Sequence, residues 1–370
     1  MSSALDIQQE RARAITRELV ARAPAGSIAC IFAGGSLGRG EVWAAEFDGT
    51  LDVYSDIDLY VIATPGAAVL ELRRVASALV SLPAPDGVRF QRGADIGVYT
   101  PADLAAQPLR PGTAELDTRH LLLFGDDSIA RALPGREAAR IPVEEALYLL
   151  ENRALELSAA PAGAGPEGRL VLAQALKARL DVYAAHAIVA GTFAPTLAER
   201  ARRFSSETPS TLDDAAREQV AAAFEAASDI GSWMRTRDAA TERETALAAV
   251  VDAWRTLAPR VLRLPASPAE LVARRCRAGD MVANGQEIVR IRHATGASLL
   301  RAASALPRLA ALSPVAALRI DALARILAAA SGADNDMASH FAYVDRLTQH
   351  FGFTNGTPDE RVRRMYAAIS

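Results

Sequence analysis

The sequence predicts an α+β fold: a small mixed sheet with helices, followed by a large all-helical C-terminal region. Three observations carry this expectation. Short runs rich in β-branched and aromatic residues, bounded by turn residues, fall before residue 143. From about residue 143 onward, apolar residues recur at helical spacing and strand signals almost vanish. The chain has 370 residues, 50% of them hydrophobic, which is length enough for two or three domains with sizeable cores. The expected division is a first domain over 1–135, a helical bundle over 140–262 and a second helical segment over 266–370.

In chain order, residues 5–23 carry apolar positions at helical spacing and stop at "APAGS". "SIACIFA" (27–33) reads as a buried strand ending in Gly34-Gly35-Ser36, with a helix start near Ser36. "EVWAAEFDGTLDVY" (41–54) reads as an excursion with a hairpin turning at "FDGT". "DIDLYVIA" (56–63) is a second strand, 67–82 a helix, and "VRFQRGADIGVYT" (88–100) a third strand with an irregularity at Gly93. "PADLAAQ" opens a short helix with Asp103 in its first turn. "RHLLLFGDD" is a short strand or a turn, with Asp126 and Asp127 either capping "SIARAL" or standing at the edge of a cleft. Beyond 143, five helical stretches are punctuated by Pro- and Gly-rich loops, and "RLPASPAE" (263–270) breaks them from a last helical set.

A net charge of −3 and a pI near 6.0 disfavour a non-specific nucleic-acid binder but allow nucleotide binding, which needs only local cations. Cys30 and Cys276 are the only cysteines, so neither a disulfide scaffold nor a thiolate metal site is expected. The N-terminus lacks the apolar core of a signal peptide, and no stretch reaches the length of a membrane span. A soluble, cytoplasmic chain is expected. The five histidines (120, 186, 293, 340, 350) form no metal-binding pattern.

Asp56 and Asp58 carry the chemistry. Two apart on a strand, they point to one face. Like charges held together repel unless a cation neutralises them, and Mg²⁺ takes such hard oxygens together with substrate phosphates. The bland alternative is a solvated pair at a strand end. The preceding Gly34-Gly35-Ser36 changes the weighing: glycine permits close backbone approach, the first turn of a helix offers free N–H groups, Ser36 adds a hydroxyl and Arg39 a bidentate cation. Asp95 on the third strand is the candidate third carboxylate of a two-metal site or a general base.

"GGSLGRGE…YSDIDLYV…ADIGVY" resembles the polymerase β-like nucleotidyltransferase superfamily, in its minimal and antibiotic-modifying (aminoglycoside-type) branch. The resemblance covers roughly residues 27–100. It implies that Gly35 and Ser36 hold the triphosphate, that Arg39 is a cationic phosphate ligand, and that Asp56, Asp58 and Asp95 bind Mg²⁺, with two ions expected. It also implies that Lys177, the chain's sole lysine, reaches the triphosphate from the helical region; the alternative is a surface lysine paired with Asp181. The stretch between Ser36 and Asp56 is longer than in compact members, which leaves Glu41 without an assigned place. The implied activity is transfer of a nucleoside monophosphate, AMP from ATP, to a hydroxyl of a small-molecule acceptor with release of pyrophosphate. The alternatives are a protein or RNA acceptor of the toxin–antitoxin kind, or a nucleotide-sensing protein of the same fold without turnover.

Overall fold

The computed structural model describes residues 3–80, 83–133, 135–159 and 163–263. The expected helical segment over 266–370, Cys276 and His293, His340 and His350 lie outside the described residues. The chain is mixed α+β and divides into two compact units. Of the described residues, the first comprises those up to Glu145 with Ala190–Pro209 and Phe224–Thr236; the second comprises Ala146–Val189, Ser210–Ala223 and those from Arg237 onward.

The first unit begins with α1 (Ala4–Arg22), nucleated by a reciprocal cap in which Asp6 N–H donates to Ser3 Oγ at 3.1 Å and Ser3 N–H to Asp6 Oδ2 at 3.0 Å. Next come β1 (Ile28–Ala33), the short α2 (Gly35–Arg39), β2 (Ala44–Phe47), β3 (Thr50–Val53), β4 (Ile57–Ala63), α3 (Val69–Ser77), β5 (Val88–Phe90), β6 (Ala94–Tyr99), α4 (Pro101–Ala105), β7 (Leu121–Gly125) and α5 (Ser128–Arg131). The expected hairpin is present as β2–β3, and Asp48 (φ 51) and Gly49 (φ 74) supply the two positive-φ residues of a tight hairpin turn.

The strands form two sheets, a four-stranded one ordered β6-β4-β1-β7 and a three-stranded one ordered β2-β3-β5. β4 and β6 are parallel, as are β3 and β5, and the offset is the same in both: Leu51 lies opposite Val88 and Ile57 opposite Ala94. The expected single strand over 88–100 is therefore two, parted at 91–93 opposite a matching break at 54–56. The cause is local. Gln8, on the buried stripe of α1, donates through Nε2 to the carbonyls of Ser55 (2.8 Å) and Asp56 (2.9 Å), drawing them out of the ladder.

Period-two alternation gives the four-stranded sheet two different faces. One carries Ile31, Ala33, Leu59, Val61 and Val98 against Ile15 and Leu19 of α1 and Leu72 of α3. The other carries Cys30, Phe32, Ile62 and Tyr99 against Leu104, Leu116 and Ala130. Asp58 and Asp95 share the second face.

Past residue 143 the described elements are helices: α6 (Glu144–Ala159), α7 (Gly165–Val189), α8 (Leu197–Ser206), α9 (Asp214–Ser228), α10 (Ile230–Arg235) and α11 (Ala239–Val261). In the second unit α7 is buried around nearly its whole circumference and α11 packs along it through Val250, Trp254 and Leu257. α8 and α10 belong to the first unit, where Arg235 of α10 donates to the Glu46 carbonyl at 3.0 Å. No described helix is long and apolar enough to cross a membrane.

Candidate functional site

Asp58 and Asp95 are direct partners in the parallel β4–β6 ladder, so their side chains leave one face as neighbours. Both are half-buried. Asp56 was expected on the strand beside Asp58, but it precedes β4, its carbonyl held by Gln8, and Arg92 Nη1 stands 3.6 Å from its Oδ2. Among the described residues, no group of three or more His, Cys, Asp or Glu is gathered so as to hold a metal by itself.

The turn after β1 is built against Asp58. Gly34 N–H donates to the Asp58 carbonyl at 2.9 Å. Gly35 has φ +57, and a methyl group there would come within 2.0 Å of Asp58 Oδ2. Only glycine lets the backbone lie this close to the carboxylate. Next to it, Ser36 Oγ is sealed from solvent with no hydrogen-bond partner, an uncommon and costly state for a buried hydroxyl. α2 also has little room behind it, since a methyl at Gly38 would meet the carbonyls of Ala33 and Arg119 at 2.8 Å.

Arg39, expected to be a phosphate ligand, donates from Nε to Glu41 Oε2 at 3.2 Å. Glu41 in turn accepts from the Leu197 N–H at 2.5 Å, at the start of α8. This assigns Glu41 a place: it ties the α2 turn to the first turn of α8. Arg119 forms a second tie, bridging Glu115 and Glu199 and meeting the latter at 2.8 Å. The Thr196 hydroxyl and then Arg119 hold the Glu199 carboxyl below its ordinary pKa. A cavity of about 310 Å³ opens here, lined by Glu115, Glu137, Phe193, Pro195, Glu199 and Arg202.

Beneath the acids, Phe32, Tyr60 and Tyr99 form a row of stacked rings with centroids 5.2 and 5.8 Å apart. His120 meets the edge of Phe32 and places Nε2 2.5 Å from Asp127 Oδ1. Asp126 caps α5 by accepting from the Ser128 N–H at 2.9 Å. Asp127, the residue at the N-cap of α5, makes no side-chain capping bond and instead pairs with His120 and Arg131, so the expected capping is met by Asp126 alone.

The structure brings Gly35, Ser36, Asp58 and Asp95 together. Asp56 and Arg39 adjoin them with partners of their own. Lys177 lies half-buried on α7 of the second unit. Sequence reasoning missed Gln8, Arg92 and Arg119. Only Gln8 left a signal, as an amide in the stripe Leu5, Ala12, Ile15, Leu19. No protein-family model and no curated protein matches this sequence.

Proposed function

We propose that the chain is a Mg²⁺-dependent nucleotidyltransferase that moves a nucleoside monophosphate, AMP from ATP, to a hydroxyl of a small-molecule acceptor and releases pyrophosphate. The carrying observation is the pairing of Asp58 with Asp95 across β4–β6, with the positive-φ Gly35 set against the Asp58 carboxylate. The fit to a phosphate–metal group rests on the orphaned Ser36 hydroxyl, the cradle that a Gly35 side chain would fill, and adjacent hard carboxylate oxygens.

Asp58 and Asp95, with Asp56 beside them, would hold Mg²⁺, which when bound neutralises the triphosphate and the leaving pyrophosphate. Ser36 Oγ donates to a phosphate oxygen. The missing side chain of Gly35 lets the Asp58 carboxylate lie against the turn. Asp95 accepts the proton of the acceptor hydroxyl as its oxygen bonds to the α-phosphorus and the bond to pyrophosphate breaks. The 310 Å³ cavity of the same unit has the volume of a small-molecule site and supports an acceptor of that class.

The test is pyrophosphate release by the full chain from ATP, with Mg²⁺ and a panel of hydroxylated acceptors. Asp58→Asn and Asp95→Asn are each expected to lower it by about a hundredfold or more, an effect typical of removing a transition-state charge stabiliser. Unchanged release in both variants sinks the reading. The Asp56–Arg92 pair favours a second reading, a nucleotide sensor without turnover, because the arginine already neutralises one acid. Saturable ATP binding with no pyrophosphate from any acceptor would select it.

A further inference from the structure

At the edge of the three-stranded sheet, a second cavity of about 430 Å³ is lined by Arg11, Thr50, Gly87, Val88, Arg89 and Phe90. None of Gly35, Ser36, Asp58 or Asp95 lines it. The guanidinium carbon of Arg11 lies over the Phe90 ring, 3.7 Å from its centroid, a cation–π contact. Its Nε and Nη1 are sealed from solvent and have no hydrogen-bond partner. Burial pushes its pKa down, and no acid contributes in the opposite direction. A guanidinium cannot shed its proton to escape that burial. Arg89 adds a second cation. It stands 3.3 Å from the fully buried Asp52, which uses one of its donors, and 43% of its side chain is exposed. Two guanidinium groups therefore line the cavity: Arg89 is paired with Asp52, and Arg11 has no acid acting on it.

We infer that this cavity binds the oxyanion end of a small molecule, a phosphate or carboxylate group, with Arg11 as the principal cation and Arg89 beside it. The planar fork matches both anions in bidentate fashion. The volume is several times that of a bare phosphate ion, so the anion is one end of a larger ligand whose body lies along Val88 and Phe90. The inference stands apart from nucleotidyl transfer and survives its failure.

The experiment is thermal unfolding of the full chain against inorganic phosphate and, separately, succinate, at ionic strength held constant with sodium chloride. A saturable rise in melting temperature is expected with at least one. A stronger response to phosphate identifies a phosphoryl ligand, and a stronger response to succinate a carboxylate. Arg11→Met keeps an apolar chain on Phe90 and is expected to raise the melting temperature without anion while weakening the response by about tenfold or more. Arg89→Gln is expected to weaken it by about threefold, and Ser36→Ala to leave it unchanged. Absence of a saturable response to both anions, equal responses in the wild type and Arg11→Met, or loss of the response in Ser36→Ala overturns the inference. Should Arg11→Met fail to fold, Thr50→Asp sets a carboxylate in the same cavity. It is expected to raise the melting temperature and abolish the response, and an undiminished response there counts against the site.

Discussion

In the second unit, Arg153 pairs with Glu156 and with Asp181 at 3.1 Å, and Arg179 pairs with Glu242, all of them nearly enclosed. In the first unit, Asp58 stands opposite Asp95 on the neighbouring strand. The same residue type is put to opposite uses. An acid buried beside an arginine is part of the architecture, and removing its cation leaves a charge with no solvent to hold it. An acid set beside an acid raises the cost of ionising both, and on the proposed reading a bound divalent cation offsets that repulsion. The two sets should therefore differ in what their loss costs: stability in the second unit, ligand response in the first.

The largest stability effect is expected at Arg153. Arg153→Met keeps the aliphatic stem but removes the cation beside Glu156 and Asp181, 7% and 8% exposed, and should cost about 3–5 kcal/mol. Urea unfolding followed by Trp254, which is fully buried in the same unit, measures it. Trp43 and Trp233 are first replaced by Phe so that Trp254 alone reports. A loss under about 1 kcal/mol, the scale of a surface pair, would erase the contrast between the units.

The next effect depends on pH. Burial pushes the His186 imidazole from 6.5 down to about 4, partly offset by the charge of Asp213. His186 Nδ1 lies 2.6 Å from Thr211 Oγ1 within the same unit. The folded ring stays neutral where the unfolded ring takes up a proton, so the unfolded state binds more protons between these values. The stability from this site is complete above pH 6.5, falls as pH drops toward 4, and is not lost further below that. The whole window amounts to about 3 kcal/mol. His186→Asn should flatten the unfolding free energy over pH 4–6.5. An equally steep profile in that variant would place the acid sensitivity elsewhere.

These two sites also show what the sequence made legible. Local chemistry was readable where the cause is local. Asp48-Gly49 dictates its own hairpin turn, and Asp103 and Thr100 form the reciprocal cap of α4. The break at 91–93 was readable as an irregularity at Gly93, but not the role of Gln8, which holds the carbonyls of Ser55 and Asp56 nearly fifty positions along the chain. Helical periodicity gave α8 as a helix and ran α9 and α10 together as one, and it did not give the membership of α8 and α10 in the first unit, because an apolar stripe does not say which core receives it. At the site, the close backbone approach at "GGS" was readable. That Gly35 lies against Asp58 in particular follows from strand register, and that Arg39 is bound to Glu41 follows from the approach of α8.

Glycine at 35 allows a sharper cut. Gly26 has φ +72 with nothing within 4 Å of an added methyl, whereas Gly35 has φ +57 with Asp58 Oδ2 in the way. Gly26→Ala isolates the backbone penalty, about 1–2 kcal/mol. Gly35→Ala should cost more than that and should lower pyrophosphate release, because the carboxylate must move. Equal costs in thermal unfolding would mean that Asp58 yields freely and that the cradle is not tightly held.

The smallest effect separates the two kinds of acid most directly. A divalent cation that binds the folded first unit raises its stability by mass action, about 1 kcal/mol at several times the dissociation constant. Mg²⁺ with ATP should therefore raise the melting temperature of the wild type. Asp58→Asn should abolish that rise, because the neighbouring acid then has no like charge beside it and the ligand pair is broken. Arg153→Met, destabilised in the other unit, should keep the full rise from its lower starting point. On the proposed reading, the increment depends on Asp58 and Asp95 and not on the acids of the second unit. A rise that persists in Asp58→Asn would locate the Mg²⁺ on the nucleotide rather than on the protein.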